Sequence, residues 1–339
     1  MNLAWKTALA RCLRLTGALE IPWRRLHDGS IVFTLHRVLE RADAAEFDNP
    51  QLALSAEVFD SFLSYLLSRF EIVSLTDLLH PSHRSSSVGD CGKSLCAITF
   101  DDGWEDNFRV AFPILRRHRL PATVFLATGY IGTQRTLAED QLRRVWRSAC
   151  HSRREGELRK LVLGEGVAIE GDGFTAVHRA FKKLPHSSKL QILERLAGEF
   201  PIPQRRSFLT WQEARKMASS SITFESHTVN HLLLTHETSE DGMRELVESK
   251  RIIHAEIGRE PRVFAYPSGA HDIKVADLVM RAGYDAAFTT VDGAVRTGSD
   301  RFRLPRIGIA DDVLIDSNGR FSAARADFHI GRALLNDAR

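Results

Sequence analysis

Cysteine is scarce in this chain, with four in 339 residues, at positions 12, 91, 96 and 150. Cys12 and Cys150 stand alone, and the gap between Cys91 and Cys96 fits neither a zinc ribbon nor a redox pair. Nothing in the sequence demands disulfides, so free thiols in a reducing compartment are the simpler reading and a cytoplasmic location is permitted. Charge of one sign is lacking too. Lys and Arg number 46 against 43 Asp and Glu, a formal net charge of +3. No basic block interleaves with aromatics, which argues against nucleic acid and for a neutral substrate, small or polymeric. Long apolar runs are missing as well. No stretch approaches the roughly 18 apolar residues that cross a bilayer, and Lys6, Arg11 and Arg14 break every N-terminal run before it reaches signal-peptide length. Nor is there an internal repeat.

Hydrophobic residues make up 43% and charged residues 26% of the chain, enough for one large core, or one core and an appendage. Residues 1–27 hold Trp5, Ala8, Leu9, Cys12, Leu15 and Leu19 at helical spacing with cations on the other side. This predicts an amphipathic helix, either lying on an anionic membrane or packed on its own domain. The expected setting is therefore cytoplasmic with membrane association.

From Asp28-Gly29 onward the pattern alternates. SIVFTLHRV (30–38) reads as a buried strand with His36 near its end, and Ser55 can cap a helix bearing Phe59, Phe62, Leu63, Leu66 and Leu67. EIVSL is a second strand. After the polar loop PSHRSSSVGDCGK, SLCAITF (94–100) is a third, ending directly in Asp101-Asp102-Gly103. The rhythm continues through LPATVFLATGYIG, SITFESH, PRVFAYP, DAAFTTV and RLPRIGI with helices between, which predicts an α/β fold with a parallel sheet or barrel over 28–315. A helical, Arg- and Lys-rich stretch at about 132–207 interrupts it as an insertion, and 316–339 reads as a polar, loosely docked tail.

Two adjacent aspartates followed by glycine, at the C-terminal end of a buried strand, place two carboxylates where the backbone turns sharply. Asp-Gly alone can simply mark a turn. SHTVNH (226–231) also follows an apolar strand and separates His227 from His231 by three residues. On a helical turn or a tight loop, both imidazoles can face one divalent ion. Two His and one Asp leave positions for water and for a carbonyl oxygen, so such an ion can acidify the water and polarise an amide. Of the two aspartates only one is needed as ligand, and the other can act as general base. Trp104 and Trp211 read as core or rim aromatics, although an exposed Trp there would stack on a sugar face.

TFDDG (99–103) and SHTVNH resemble, in order and at full length, the first two motifs of the polysaccharide deacetylase family, also called NodB-homology or carbohydrate esterase family 4 proteins. FAYPSG (264–269) looks like the FAYPxG form of its third motif, and TLHRV and LPRI resemble a subgroup. The resemblance covers most of residues 30–310. It implies a distorted (β/α) barrel of about seven parallel strands, with Asp101 as the base and Asp102, His227 and His231 as metal ligands. It further implies that the backbone N–H near Ser268 holds an oxyanion. Tyr266, before Pro267, fixes an extended backbone and then touches substrate. The third motif lacks the usual arginine two residues before its proline, so Arg306 is the candidate partner of Asp101. The late Leu-x-His motif is missing too, since FHI (328–330) falls in the tail, so His36 is the candidate general acid, with a hydrogen-bonded core histidine as the alternative. The expected activity is hydrolysis of N-acetyl groups on a glycan with a divalent metal, zinc first and cobalt or nickel next. The rivals are a catalytically weak glycan-binding relative and a hydrolase of non-sugar amides.

Overall fold

The computed structural model describes residues 3–17, 23, 26, 29–40, 50–80, 93–163, 170–200, 202 and 205–336. Leu19, Cys91 and the loop around it lie outside them. The chain divides into two compact units, Met1–Ile131 with Phe208–Arg339, and Gly132–Ser207.

The larger unit begins with α1 (Leu3–Leu15), whose Thr7 and Ala10 are buried. Of the apolar stripe read from sequence, Trp5 is 58% and Leu15 89% exposed, so this stripe faces outward. The run 30–38 forms two strands, β1 (Gly29–Leu35) and β2 (Arg37–Leu39), parted at His36. β3 (Ala53–Ser55) pairs in parallel with β2. Then α2 (Ala56–Arg69) buries Phe59, Phe62, Leu63 and Leu66. Ser55 precedes α2 without capping it by its side chain, because its N–H and hydroxyl both turn to Asp311 Oδ1, at 3.1 and 3.5 Å.

β4 (Phe70–Ile72), α3 (Leu75–Leu79) and β5 (Ser94–Phe100) come next. After the turn at Asp101, a π-turn (Asn107–Ala111) runs into α4 (Phe112–His118), followed by β6 (Ala122–Leu126). The smaller unit carries α5 (Ala138–His151), α6 (Glu155–Leu163), α7 (Gly173–Lys182) and α8 (His186–Glu199). These helices share their own core, including Leu142, Val145, Phe181, Ile192 and Phe200. The larger unit resumes with α9 (Trp211–Ala218), closed at its start by a reciprocal capping box between Thr210 and Glu213. β7 (Ile222–Ser226), α10 (Ser239–Ile257), β8 (Val263–Ala265), α11 (Ile273–Arg281) and β9 (Ala286–Phe288) continue the alternation. β10 (Val295–Arg296), β11 (Ile307–Gly308), α12 (Asp311–Leu314) and α13 (Ala323–Asn336) finish it.

Among the described residues the main sheet runs β10-β1-β5-β6-β7-β8-β9, with β11 also on β1 and β4 also on β5. Every pairing in it is parallel except β1 with β10. Leu304 bridges Phe288 in parallel while Ile307 pairs with Phe33, so one short segment reaches from β9 to β1. The result is an α/β half-barrel with surrounding helices, in line with the distorted (β/α) barrel of about seven parallel strands expected from the sequence. Side chains alternate along each strand. The row Val32, Leu95, Ala97, Phe125, Val263, Ala265, Ala286 and Phe288 faces inward as a single apolar cluster, with Leu75, Leu78 and Leu79 of α3 packed against it. Along β5 this inward row continues past Ala97 to Thr99 and Asp101. Apolar residues thus fill the barrel's lower part, and its polar chemistry collects at the C-terminal strand ends.

One expectation is corrected here. Of the segment 316–339, the described residues 316–336 are not a loosely docked tail, because α13 buries Ala326, Ile330, Ala333 and Leu334 together with Asp327 and His329. Asp327 Oδ1 accepts from Tyr65 Oη at 2.6 Å and from Arg69 at 2.9 Å, which ties α13 to α2. A buried carboxylate with two strong donors is stable where an unpaired one would not be.

Candidate metal centre and active site

Asp101 and Asp102 leave β5 in two different directions. The N–H of Asp101 donates to Leu35 O at 2.9 Å, extending the β1–β5 ladder by one residue. Asp102 then turns to φ 75 and Gly103 to φ 84. The φ of Gly103 favours glycine, and a Cβ there would also press on the Leu126 side chain, 2.6 Å from its Cδ2. Asp102 tolerates the left-handed region better than most residues.

His227 follows β7 directly, and its N–H donates to Leu126 O at 3.0 Å. His231 is brought back to it by a loop, not a helical turn, with Thr228 at φ 67 and His231 at φ 54. A β-branched residue in that region is strained by about 1–3 kcal/mol and needs holding. Glu245 of α10 does so. Its carboxylate accepts from Val229 N (2.9 Å), Asn230 N (2.8 Å) and Asn230 Nδ2 (2.7 Å).

These turns bring one ligand atom each from Asp102, His227 and His231 within 4.8 Å of one another. Asp102 Oδ1 lies 3.5 Å from His227 Nε2 and 3.3 Å from His231 Nε2. Two tetrahedral ligands of a zinc ion sit about 3.3 Å apart, so this spacing fits. The proton positions fit as well. His227 Nδ1 lies 2.7 Å from Ala265 O, a carbonyl that can only accept, so Nδ1 carries the hydrogen and Nε2 presents its lone pair to Asp102. Burial lowers the His227 pKa to about 3, which keeps the ring neutral as a ligand must be. The other carboxylate oxygen of Asp102 accepts from Trp104 Nε1 at 2.9 Å. A divalent cation is thus matched by the donor set, its spacing and its outer hydrogen bonds.

Asp101 is only 2% exposed and sits in a different environment. Arg306, fully buried, grips it with two parallel bonds, NH1 to Oδ1 and NH2 to Oδ2, each 2.7 Å. Arg306 also donates to Thr289 O (3.0 Å) and Thr99 Oγ1 (3.3 Å), and its guanidinium lies over Phe125 at 5.5 Å. Burial alone would raise the Asp101 pKa, but the Arg306 charge and its hydrogen bonds outweigh it and hold the carboxyl well below the usual range.

The structure thus brings Asp101, Asp102, His227, His231 and Arg306 together. His36, the residue between β1 and β2, is half-buried and close enough for its charge to act on Asp101. Its backbone oxygen accepts from Asn107 Nδ2 at 2.9 Å. Tyr266 corrects the expectation of substrate contact. It is 0% exposed within the apolar cluster of Leu232, Phe264 and Tyr284, and its hydroxyl donates to Phe302 O at 2.9 Å. Ser268 is exposed in the turn that follows, at φ 55. The FAYPSG segment touches the metal centre through Ala265 O, which accepts from His227 Nδ1. Glu245 and this carbonyl are contacts that reading the sequence did not single out, and Trp104, expected as a core or rim aromatic, is buried with its N–H on Asp102. Neither Glu245 nor the Ala265 carbonyl carried a signal in the sequence, since each acts on a residue at least 15 positions away.

A sequence profile described as Polysaccharide deacetylase matches residues 89–287. The Bacillus subtilis (strain 168) protein YxkH is 21% identical over 213 residues, 63% of this chain and 50% of its own length. The chain thus spans about half of that relative. A Staphylococcus aureus poly-beta-1,6-N-acetyl-D-glucosamine N-deacetylase (strain MSSA476) is 22% identical over 262 residues, 77% of this chain and 69% of that protein. Among solved structures, IcaB from Ammonifex degensii superposes with a TM-score of 0.55 at 18% identity, covering 90% of this chain and 97% of that one, a likeness of fold.

Proposed function

Because the chain belongs to the polysaccharide deacetylase family, we propose that it is a metal-dependent hydrolase that removes N-acetyl groups from a glycan. The observation that carries this reading is the pairing of the Asp102, His227 and His231 cluster with a second, separately clamped carboxylate, Asp101. Asp102 Oδ1, His227 Nε2 and His231 Nε2 would hold the cation, zinc first by the mixture of nitrogen and oxygen donors, with cobalt or nickel next. When bound, the cation would supply Lewis acidity toward a water and toward the amide oxygen of the substrate.

The remaining work falls to this chain's own side chains. Each Asp101 oxygen has two lone pairs, of which Arg306 uses one, so the carboxylate stays ionised, fixed and still able to accept the proton of the attacking water. Its depressed pKa makes it a weak base, suited to a water that is already acidified. His36 would return a proton to the leaving amine nitrogen as the acetyl C–N bond breaks.

The first substrate to test is poly-β-1,6-N-acetylglucosamine, since the Staphylococcus relative is named for it. A membrane surface is the setting we infer, because α1 turns Trp5 and Leu15 outward and contains three cations and no acidic residue. Protein loaded with zinc or cobalt should release acetate from an N-acetylhexosamine oligomer. Asp101→Asn should abolish turnover while keeping its metal. Undiminished activity of Asp101→Asn would sink the assigned base. Glycan binding without acetate release would favour a catalytically weak binding relative, and release from non-sugar amides alone would move the substrate class.

A further inference from the structure

The sequence places an aromatic residue two positions after the metal-binding aspartate, and the fold turns it back on that aspartate. Trp104 is 2% exposed, and its indole N–H donates to Asp102 Oδ2 at 2.9 Å. This is the oxygen that does not face the two imidazoles. Two neighbours pack on the indole. Phe208 stacks on it with centroids 4.5 Å apart and planes at 21°, and the Arg37 guanidinium lies 4.5 Å from its ring centre. Arg37 is in turn fixed by Asp106, through Nε at 2.7 Å and NH2 at 2.6 Å. Asp106 Oδ1 also accepts from Val38 N at 3.0 Å, and the neighbouring Asn107 holds His36 O.

We propose that Trp104, braced by Arg37 and Asp106, is a positioning residue that holds Asp102 in its metal-ligating orientation and ties the metal loop to the strand junction bearing His36. The physical reason lies in the carboxylate itself. Its terminal torsion is broad, so nothing intrinsic to Asp102 fixes the angle of the carboxylate plane that turns one oxygen toward His227 and His231. A single donor on the other oxygen does fix it, because turning the plane away would break a hydrogen bond in a site almost closed to water. The mostly buried Arg37 guanidinium over the indole strengthens the arrangement, since the attraction of a cation to the ring face helps to hold the ring in place. A tryptophan kept only for packing would need no such orientation of its N–H.

The inference rests on the reading of Asp102, His227 and His231 as ligands, and its test separates the two. Zinc affinity is measured by competition with a chromophoric chelator on wild type and Trp104→Phe, alongside thermal melting of both metal-free proteins. Phe keeps a ring against Phe208 and Arg37 and removes only the donor and some area. The expected result is a Kd for zinc raised 10–100-fold, the usual range for loss of an outer hydrogen bond to a ligand, with altered visible bands of the cobalt form. A Kd within twofold of wild type would overturn the brace while leaving the ligands standing. If wild type takes up no zinc, the ligand reading fails and the brace with it. Should Trp104→Phe not fold, benzothienylalanine at 104 replaces the N–H by sulfur in a ring of the same shape. The same rise in Kd is expected, and an unchanged value is again fatal.

Discussion

Replacing Arg306 by Met should reveal how much of this barrel is organised around one buried ion pair. In wild type the guanidinium is 0% exposed and shares two 2.7 Å bonds with Asp101. Arg306→Met keeps an unbranched chain over Phe125 and Phe288 but leaves the Asp101 carboxylate buried without its counter-charge. Removing one member of such a pair costs about 3–5 kcal/mol, because the survivor keeps its desolvation penalty and loses its partner. In a unit of this size each kcal/mol lowers Tm by about 2–4 °C, so a fall of roughly 6–20 °C is expected. The double variant Arg306→Met with Asp101→Asn removes both charges. It should be less destabilised than the sum of its single variants by about 2–3 kcal/mol. Urea unfolding in chelator, which removes any contribution from bound metal, gives all four corners of the cycle. A loss below about 1 kcal/mol for Arg306→Met, or a coupling near zero, would show that Asp101 is not held by this pair and refute the reasoning.

Three further outcomes follow from the same structure. Glu245→Ala leaves three donors of the 229–230 loop without their carboxylate. It should weaken zinc binding about 10–100-fold through His231, and an unchanged Kd in the chelator competition would show that the loop holds its shape unaided. His329 has its pKa lowered, first by burial, with Gly308 O accepting at 2.8 Å and Asp292, Asp312 and Arg332 around it. A depressed histidine is neutral in both states above its unfolded value near 6.5, and penalises the fold as pH falls through and below that value. The stability gap between His329→Gln and wild type should therefore shift in favour of the variant as pH drops from 7 to 5, and a gap constant with pH would refute it. Finally, Trp5→Ala with Leu15→Ala should reduce co-sedimentation with vesicles containing phosphatidylserine. Equal binding of the variant, or none by wild type, removes the membrane setting.

The barrel's strands were legible because their chemistry is local. SLCAITF is apolar and β-branched, and it is observed as β5 over the same seven residues, Ser94–Phe100. The ligands were legible because each motif follows a strand directly, TFDDG at the end of β5 and SHTVNH at the end of β7, so a short motif carries both the element and its end. What holds those ligands lies far away along the chain. Glu245 is 15 residues from Asn230, and Arg306 is 205 residues from Asp101, so no periodicity can announce either contact. Arg306 was reached only by noticing that an arginine was missing elsewhere. The SHTVNH spacing allowed a helical turn, and the actual loop is decided by Thr228 and His231 in left-handed conformations pinned by that distant Glu245. Helix α13 was misread because its buried face includes Arg325, Asp327 and His329. Hydropathy counts such residues as exposed, and only their partners on α2, α12 and β11 make them core. Tyr266 was misplaced for the opposite reason. A tyrosine in a motif suggests a contact with substrate, whereas its hydroxyl is satisfied inside the protein by Phe302 O.

The central claim is that Asp102, His227 and His231 form one divalent-cation site on which deacetylation depends. The most direct measurement titrates metal-free protein with zinc while acetate release from an N-acetylglucosamine oligomer is followed in the same samples. Release should climb in proportion to bound metal, level off at one equivalent, and vanish with the metal in His227→Ala. Turnover that persists in chelator, or a full equivalent retained by His227→Ala, would contradict it.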